Sequence, residues 1–552
     1  METIMSNSEP PPVYLTDDQL GRLAQYAVAQ QVQRGDVLIE PNDVDYDLIV
    51  VETGWVELTI AAVGEPDAVV ARFGPRQFVG ELGFLTGQSA FLTARVTETG
   101  RVQRVSRQRF RDLMADDPEI SDILLRAFLD RRDLLRAGPA TNSLTILGSA
   151  HSRHSLELRS FAARQRLIHR WLDVDSPAGA ALLASAHLTS SDLPAVITAD
   201  QRLARAAPAD LARVLGLGYR RTSGRLVDLT VIGSGPAGLA AAVYAASEGL
   251  KTVVVDSVGI GGQAAASSRI ENYLGFPSGI SGHDLTQRAA LQAMKFGAEL
   301  CSPCKVVSLD TGGQYLGITM SDGGEIESHA VLIATGVHYN KLPIDRWSDF
   351  EGAGIYYAAT EMEARECDGA PVVVVGGANS AGQAALYLAS AGSDVTLAIR
   401  GPQPALSMSS YLLARLEADP KVAIAVNSEV TEIGGTTSLE RVTITNNLTG
   451  TRTEQECRGL FCFIGAQPAT GWLDDVDLQH DGSILTATHL APTSSSRTRA
   501  SLGRDPLPFE TSVPAVFAAG DVRYGSMKRV AAAVGEGASA VQSVHTAIGL
   551  HS

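Results

Sequence analysis

Two glycine-rich segments of this chain have the residue types and the spacing that could hold phosphate groups. They read Gly233-Ser-Gly-Pro-Ala-Gly238 and Gly376-Gly-Ala-Asn-Ser-Ala-Gly382, and their first glycines lie 143 residues apart. Glycines at this spacing permit a tight turn and let backbone N–H groups approach a pyrophosphate at the start of a helix. Two copies predict two bound dinucleotides, and the usual reason to hold two is to transfer electrons between them.

The flanking sequence places each segment between a strand and a helix. The apolar runs Leu229–Ile232 and Val372–Val375 come directly before the glycines, and small residues of helical character follow. A further strand, Thr252–Val255, ends at Asp256, 23 residues after Gly233. An acidic side chain is expected there to meet an adenosine ribose. The sequence therefore predicts an α/β protein with two Rossmann-like nucleotide-binding units.

Further short motifs follow the first glycine segment. They read Gly261-Gly-Gln263, Ile270-Glu-Asn-Tyr-Leu-Gly-Phe-Pro277, Ala334-Thr-Gly336 and Ala518-Ala-Gly-Asp521. In order and spacing they resemble the low-molecular-weight thioredoxin reductase family over about residues 226–552. The resemblance implies an FAD-binding domain formed by residues 226–341 and 460–552 and an NADPH-binding domain at 342–459. It also implies a homodimer, and a rotation of the NADPH-binding domain that brings the nicotinamide onto the flavin.

The resemblance further implies which residues hold FAD. The counterpart of Asp521 contacts the ribityl and pyrophosphate region, and those of Gln263 and Asn272 contact the flavin nucleotide. A helix is predicted at Arg529–Ile548, with N-terminal N–H groups that face the pyrimidine edge of the flavin. Val530 stands there where the family usually has glutamine. The predicted FAD set is Gly233, Gly235, Pro236, Ala237, Gly238, Asp256, Gly262, Gln263, Asn272, Ala334, Gly336, Asp521, Arg529, Val530 and Ala531.

The second glycine segment is predicted to bind NADPH. The strand Asp394–Ile399 ends at Arg400 instead of an acidic residue, and a cation there favours a 2′-phosphate. An arginine that is merely solvated at a strand end is the alternative. Two positions depart from the family, because Ala378 replaces the middle glycine and Gly401 replaces a second arginine. The predicted NADPH set is Gly376, Asn379, Ser380, Ala381 and Arg400.

The redox-active dithiol of the family is missing from its usual place. Thioredoxin reductases carry a Cys-x-x-Cys pair where this chain reads Ala358-Ala-Thr-Glu361. Neither alanine nor glutamate exchanges disulfides, so no catalytic residue is assigned and thioredoxin reduction through this site is predicted to be impossible. The spacing of Cys301 and Cys304 suits a redox pair, but the resemblance places them beside the adenine end, where a structural role is expected. Cys367 has no partner cysteine nearby in the sequence, and Cys457 and Cys462, which flank a predicted strand, are expected to pack.

Residues 13–140 resemble a cyclic nucleotide-binding domain, which is a β-roll. The resemblance rests on Gly35-Asp36, Gly54 and Phe78-Val-Gly-Glu-Leu-Gly-Phe-Leu85. In that family the glutamate, here Glu81, binds the ribose hydroxyl, and an arginine pairs with the cyclic phosphate. Ala90 occupies the arginine position in this chain, and Arg95 would need a register shift to replace it. We therefore expect a docking or dimerisation module, with cyclic nucleotide binding as the alternative. The predicted strands are Asp36–Ile39, Asp47–Val51, Val56–Ala61 and Ala68–Phe73.

Residues 143–222 resemble a glutaredoxin or thioredoxin-type fold. Thr145–Leu147 is predicted as the first strand and Glu157–Arg166 as the first helix, and Pro194 matches the cis-proline position of that fold. The turn that carries cysteines in such proteins reads Ala150-His-Ser-Arg-His-Ser155 here, so a binding module is predicted rather than a disulfide exchanger. His151 and His154 are expected to be exposed turn residues rather than metal ligands.

Composition limits the classes of function. The chain has 552 residues and a net charge of −16, which argues against nucleic acid as the main partner. No apolar run is long enough for a membrane span, and Met1–Pro12 does not read as a signal peptide. Five cysteines suit a reducing cytoplasm better than a disulfide framework. An exposed insertion is predicted at Thr488–Pro508, and the helix near Ile120–Leu135 is consistent with a homodimer.

Together these features predict an FAD-dependent NADPH oxidoreductase that lacks the usual dithiol and passes electrons to an unidentified acceptor. Three alternatives stay open. One is a ferredoxin– or flavodoxin–NADP reductase, and another is a disulfide reductase that uses thiols of its partner or substrate. The third is a redox sensor, in which the N-terminal modules read the state of the flavin.

Overall fold

The computed structural model describes residues 13–62, 65–137, 139–150, 152–198, 201–217, 226–267, 269–404, 408–490 and 504–549. We call residues 13–137 the N-terminal module and residues 144–217 the second module. The first α/β unit comprises residues 226–333 and 516–549, and the second α/β unit comprises residues 347–462. His151 and most of the predicted insertion at 488–508 lie outside the described residues.

The N-terminal module is an antiparallel roll closed by helices. Its sheet has the order β1-β6-β3-β4, with β2 paired to β6 and β5 paired to β3. Its core is rich in aromatic side chains, among them Phe84, Phe110 and Phe128. The elements are α1 (Asp17–Leu23), β1 (Val28–Val32), β2 (Val37–Ile39), β3 (Leu48–Ala62), β4 (Glu65–Phe73), β5 (Phe78–Val79), α2 (Leu82–Thr86), β6 (Thr93–Val105), α3 (Arg107–Asp116) and α4 (Pro118–Ala137).

One prediction for this module was wrong. The runs 47–51 and 56–61 were expected as two strands separated at Gly54, but they form the single strand β3. Gly54 has a φ of +85° and lies at a register shift against β6, where a Cβ atom would come within 2.5 Å of the Glu98 carbonyl oxygen. The glycine therefore serves a β-bulge rather than a turn.

The second module is a small sheet with helices around it. Its strand order is β10-β9-β7-β8, in which β7 and β8 are parallel and β9 is antiparallel to its neighbours. The Leu193–Pro194 peptide bond is cis. The elements are β7 (Leu144–Gly148), α5 (Arg153–Arg164), β8 (Arg170–Asp173), α6 (Pro177–Ser185), β9 (Ala195–Thr198), β10 (Arg202–Leu203) and α7 (Pro208–Val214).

The first helix of this module begins earlier than the sequence predicted. Helix α5 starts at Arg153 because the Ser152 hydroxyl caps it, accepting a hydrogen bond from the Ser155 backbone at 3.4 Å. His154 therefore lies in the first turn of a helix, not in a loop before it, and is exposed.

The first α/β unit is built around a largely parallel sheet. Its order is β13-β12-β11-β16-β15-β14, and β27 joins β16 from near the end of the chain. The elements are β11 (Leu226–Ile232), α8 (Pro236–Ser247), β12 (Thr252–Val255), α9 (Gly282–Lys295), β13 (Glu299–Cys301), β14 (Val306–Asp310), β15 (Leu316–Met320), β16 (Glu325–Ile333), β27 (Val516–Ala518) and α14 (Val530–Gly549).

The second α/β unit has a parallel sheet of order β18-β25-β19-β20-β21 and an antiparallel sheet β22-β23-β24. The strands β17 (Val337–Tyr339) and β26 (Ala466–Pro468) pair where the chain passes between the units. The elements are α10 (Trp347–Phe350), β18 (Ile355–Tyr356), α11 (Glu361–Cys367), β19 (Val372–Val375), α12 (Asn379–Ser390), β20 (Val395–Ile399), α13 (Ser410–Ala418), β21 (Val422–Val426), β22 (Ser428–Gly435), β23 (Leu439–Asn446), β24 (Arg452–Glu456) and β25 (Gly459–Cys462).

The predicted domain boundary between residues 459 and 460 falls inside a strand. Strand β25 pairs in parallel with β18 and β19, so residues 460–462 belong to the second α/β unit. The order of strands in a parallel sheet depends on crossovers that a local apolar run does not reveal. The chain thus returns to the first unit only after Cys462.

Candidate functional site

The first glycine segment forms a close turn between β11 and α8. Gly233 has a φ of +108°, and a Cβ atom on it would come within 2.3 Å of the Ala334 carbonyl oxygen. The motif around Ala334 and the first glycine of the segment are therefore in direct contact, although they lie about 100 residues apart. Gly238 needs the same lack of a side chain, because its Cβ would lie 1.8 Å from the Gly233 carbonyl oxygen.

The N-terminus of α8 is not crowded by neighbouring side chains at Gly235. Gly235 caps the helix without a side-chain hydrogen bond, and Pro236 is its first residue. The nearest heavy atom to a Cβ on Gly235 would be the Cα of Gly262, at 3.9 Å. The structure thus brings together the two predicted glycines, and the unpaired N–H groups of the first helical turn point to the space beside them.

The Asp256 carboxylate connects the glycine loop after β11 to the loop after β12 through hydrogen bonds. Its Oδ2 accepts hydrogen bonds from the Ser234 backbone N–H at 2.8 Å and from the Ser234 hydroxyl at 2.9 Å. Its Oδ1 accepts from the backbone N–H groups of Val258 and Gly259, both at 2.9 Å. The carboxylate therefore fixes the glycine loop against the loop after β12.

The segment that carries Cys301 and Cys304 lies at the same edge of the sheet. The Asp256 backbone N–H donates to the Cys301 carbonyl oxygen at 3.0 Å, and the Cys304 N–H donates to the Asp256 carbonyl oxygen at 2.6 Å. Both cysteines are buried. They are thus adjacent to the residue predicted to meet the adenosine ribose.

Asp521 follows β27 in a loop that is fixed to α14. The Gly520 N–H donates to Glu536 Oε2 at 2.8 Å, and Arg523 Nη2 donates to Glu536 Oε1 at 2.7 Å. Burial raises the pKa of the Asp521 carboxyl; Lys528 opposes this shift and Glu536 adds to it. The carboxylate accepts no hydrogen bond from a described residue. It is a largely buried acceptor without a protein donor, which suits a ligand hydroxyl.

The other predicted FAD residues differ in their surroundings. Gln263 donates a side-chain hydrogen bond to the Val337 carbonyl oxygen in β17. Asn272 is exposed and makes no hydrogen bond to a described residue. Helix α14 begins at Val530, directly after Arg529, and Ala531 in its first turn is exposed.

The second glycine segment repeats the turn between β19 and α12. Gly376 has a φ of +143°, and its Cβ would lie 2.5 Å from the Phe463 carbonyl oxygen. Ala378 caps α12 without a side-chain hydrogen bond. Asn379 Oδ1 accepts from the Ser409 N–H at 2.8 Å, which holds the loop before α13 against the helix start.

The remaining predicted NADPH residues line the same edge of the second unit. Ser380 is exposed and Ala381 is buried. Arg400 follows β20 with a side chain that is 84% exposed, and its Nε lies 3.8 Å from Glu429 Oε1. The guanidinium is therefore available at the carboxyl end of the strand.

The family of the chain follows from its match to a known sequence model. The model of the pyridine nucleotide-disulphide oxidoreductases matches residues 227–537, which include both glycine turns and Asp521. The chain belongs to this family. A second model, that of the cyclic nucleotide-binding domain, matches residues 29–117.

Its relatives within the oxidoreductase family include thioredoxin reductases. The thioredoxin reductase of Streptomyces clavuligerus is 35% identical over 320 residues, which are 57% of this chain and 91% of that protein. The enzyme of Bacillus subtilis strain 168 is 32% identical over 327 residues, 58% of this chain and 94% of that protein. The crystal structure of Lactococcus lactis thioredoxin reductase in its FR conformation is 30% identical, with a TM-score of 0.51, and covers 58% of this chain and 99% of that chain.

The family implies FAD and NAD(P)H, and the geometry of the first unit fits a dinucleotide. Helix α8 starts without a side-chain cap, Gly235 leaves room in front of it, and Asp521 is a largely buried acceptor to which no described residue donates. Among the described residues, no group of three or more His, Cys, Asp and Glu side chains could hold a metal ion. None of the helices described combines the length and apolar character that a membrane span requires.

The segment Ala358–Glu361 of this oxidoreductase joins β18 to α11, whose first residue, Glu361, has a side chain that is 73% exposed. Ala359 is 5% exposed and belongs to an apolar cluster against which Leu156 of α5 packs. Two ion pairs flank this contact. Arg159 Nη1 lies 2.7 Å from Glu366 Oε1, and Arg153 Nη1 lies 3.3 Å from Glu351 Oε2.

Three thiols of the second α/β unit are poor nucleophiles. Burial raises the pKa of Cys367 and of Cys457 to about 12, and it raises the pKa of Cys462 as well. Thiolates, not thiols, attack disulfides, so these three groups are inert near neutral pH. The packing role predicted for Cys457 and Cys462 agrees with this burial.

One cation against the loop after β12 was not predicted from the sequence. Arg164, at the end of α5, packs its side chain on Gly259, where a Cβ would lie 3.2 Å from Arg164 Cδ. Its carbonyl oxygen accepts from Gln287 Nε2 at 2.6 Å. Burial raises the pKa of Tyr339 to about 12; Arg164 opposes this shift and Asp521 adds to it, so both charges act on one phenol. Nothing in the local sequence indicates this position, because it depends on how the modules dock.

Proposed function

We propose that this chain is an NADPH-dependent flavin oxidoreductase that passes electrons from FAD to an acceptor without a dithiol of its own. The observation that carries the proposal is the pair of glycine turns at α8 and α12. Both helices start without a side-chain cap, and both lie within residues 227–537, which the family model matches. The thioredoxin reductases among its relatives support the same chemistry.

Different residues of the first unit would bind different parts of FAD. The N–H groups at the start of α8 would bind the pyrophosphate, with Gly235 and Gly262 leaving room for it. Asp521 would accept a hydrogen bond from a ribityl hydroxyl, and Asp256 would lie at the adenosine ribose. When bound, FAD would supply a ring that accepts a hydride from NADPH and passes the electrons on.

The residues of the second unit would hold NADPH. The start of α12 would bind its pyrophosphate, and Arg400 would pair with the 2′-phosphate. The proposed preference for NADPH rests on charge, because the Arg400 cation can pair with the 2′-phosphate. An acidic side chain, which would accept a hydrogen bond from the ribose 2′-hydroxyl of NADH, is absent at this position.

Three observations support the absence of a working dithiol. Alanine and glutamate occupy positions 358 and 361, the thiols of Cys367, Cys457 and Cys462 have raised pKa values, and Leu156 of α5 packs against the apolar cluster that contains Ala359. We propose that the second module is a cysteine-less thioredoxin-like domain docked on this segment. Free thioredoxin would then have no dithiol to react with at this place.

The first test is anaerobic stopped-flow reduction of the flavin by NADPH, followed by addition of thioredoxin and a disulfide substrate. We expect the flavin to bleach with NADPH faster than with NADH, and thioredoxin to leave it reduced. Reoxidation by thioredoxin in the native protein, lost in a C301S/C304S variant, would overturn the dithiol-free mechanism. A flavin that NADPH does not bleach would overturn the proposal as a whole.

A second candidate, a flavin-state sensor, is favoured by a chain of contacts between the N-terminal module and the first unit. Arg132 of α4 donates to the Arg166 carbonyl oxygen at 3.0 Å, and the neighbouring Gln165 donates to the Ser302 hydroxyl between Cys301 and Cys304. Multiple turnovers with added quinones, ferredoxins or small disulfides would identify an enzyme. Reduction without turnover by any of them would favour the sensor.

A further inference from the structure

The N-terminal module contains a cavity of about 640 Å³, a size typical of small-molecule sites. It lies between the roll and helix α4, and most of its lining is apolar. Side chains of both elements contribute, among them Trp55, Val70, Phe73, Leu92 and Leu134. A space of this size and composition favours a ligand with an apolar body.

The two features that a cyclic nucleotide needs are not offered by this cavity. Ala90 lines it where a phosphate-binding arginine is expected, and Arg95 instead donates to the Gly35 carbonyl oxygen at 3.1 Å. Glu81 is already engaged, because Arg132 Nε and Nη2 donate to its Oε2 at 2.8 and 2.5 Å. Arg132 is 1% exposed, so this pair is held firmly inside the protein.

Arg131, a cation in the cavity wall, has N–H donors that no described residue uses. Arg131 of α4 donates through Nη1 to the carbonyl oxygens of Phe78 and Gly80, at 2.9 and 2.7 Å. Its Nε and Nη2 donate to no described residue. The guanidinium carbon lies 4.8 Å from the centre of the Phe73 ring and 4.3 Å from that of Phe78. Two aromatic faces thus fix the orientation of the charge.

None of the described carboxylates around the cavity is in contact with Arg131 as a counterion. Arg132 neutralises Glu81, and Glu57 pairs with the exposed Arg72 at 2.7 Å. Asp130 also lines the cavity but is exposed at its rim. Burial lowers the pKa of the Arg131 guanidinium to about 10, with the Glu81 carboxylate opposing this shift. An anion beside Arg131 would relieve the cost of burying this charge.

We propose that this cavity binds an amphipathic monocarboxylate, with the carboxylate on Arg131 and an apolar chain or ring system between the roll and α4. The site is separate from the dinucleotide sites, so the inference goes beyond the proposed oxidoreductase function. The walls supply area for an apolar body, and the free donors of Arg131 match the two oxygens of a carboxylate.

The test is a competition experiment on the full-length protein, with anilinonaphthalene sulfonate as the fluorescent probe. Octanoate and octanol share one chain length and differ in charge. We expect octanoate to displace the probe with an affinity at least about tenfold higher than octanol, and cyclic AMP not to displace it. Equal affinities of octanoate and octanol, or displacement by cyclic AMP at comparable concentration, would overturn the proposal.

Three variants assign the preference to Arg131. R131M should reduce the ratio of octanoate to octanol affinity to about one, whereas R131K should keep a clear preference because it keeps the cation. R72M removes an exposed guanidinium from the same lining and should leave the ratio unchanged. A purely structural Arg131 would change both affinities together, and an unaltered ratio in R131M would refute the assignment.

Discussion

The position of Asp521 favours the binding of a ligand but lowers the stability of the protein when no ligand is bound. Its carboxyl is largely buried, accepts no hydrogen bond from a described residue, and has a raised pKa because of burial. The folded apoprotein therefore holds this proton more tightly than the unfolded chain does. Its stability falls as the pH rises from the ordinary aspartate range, about 4, through the raised pKa of the folded state.

Replacement of this carboxylate should weaken the binding of FAD and stabilise the apoprotein. In D521N we expect the apoprotein to melt at a higher temperature than wild type at pH 8, with the difference shrinking as the pH falls toward 5. FAD should bind about tenfold more weakly, because a charge-assisted hydrogen bond becomes a neutral one. Thermal unfolding of the apoproteins and flavin titration measure the two effects. D475N, which alters an exposed carboxylate, should change neither; a destabilised D521N apoprotein would contradict this account.

At the scale of elements, the last helix of the chain completes the site of the first glycine turn. Helix α14 crosses α8 so closely that a Cβ on Gly537 would lie 2.0 Å from the Ala237 carbonyl oxygen. Ala237 lies in the first turn of α8, whose N–H groups are the proposed pyrophosphate ligands. The packing of the two helices therefore also sets the position of these groups.

The contact between α8 and α14 predicts different effects for two glycines of one helix. G537A should lower stability by about 1–3 kcal/mol and reduce flavin content, because the helices must separate. G535A should be neutral or stabilising by up to about 1 kcal/mol, since, apart from the backbone of its own helix and its chain neighbours, no described residue has an atom within 4 Å of its Cβ position, and alanine favours helix. Thermal unfolding and the ratio of flavin to protein in the purified variants test this. Equal losses in both variants would refute the packing argument.

At the scale of the whole molecule, the second module bridges the two α/β units. It contacts the first unit through Arg164 and Gln165, and the second unit through Arg153 and Arg159. A rotation of the second unit, as the resemblance to thioredoxin reductases implies, would have to break the Arg159–Glu366 pair, whose side chains are 14% and 16% exposed. The module would then restrain this orientation of the units.

Removal of this ion pair should speed the reductive half-reaction. In R159M/E366Q we expect flavin reduction by NADPH to be about fivefold faster, which corresponds to about 1 kcal/mol of a partly buried pair. Both members are replaced so that no unpaired charge is left behind. R213M, which removes an exposed pair inside the second module, is the control. An unchanged or slower reduction in stopped-flow measurements would show that this contact does not restrain the units.

Features that depend on neighbouring residues could be predicted from the sequence, whereas features that depend on contacts between distant residues could not. The turns at Gly233 and Gly376 were predictable because positive φ angles and a strand-to-helix context impose glycine locally. Gly54 misled the prediction, since a glycine in a bulge and a glycine in a turn look alike without the partner strand. The boundary at residue 459 was wrong for a similar reason, because the pairing of β25 depends on strands that are distant in the chain.

The sequence by itself determined the two dinucleotide turns and the Ala358–Glu361 segment in place of a dithiol, because each depends on residue types within a few positions of one another. Only the tertiary structure decided that Arg132 pairs with Glu81, that Arg131 lines a cavity and that Leu156 of α5 packs against the apolar cluster of Ala359. These contacts join residues 51 to about 200 positions apart. They depend on the fit of whole surfaces in docked modules, and such a fit has no periodicity or motif that a linear sequence could display.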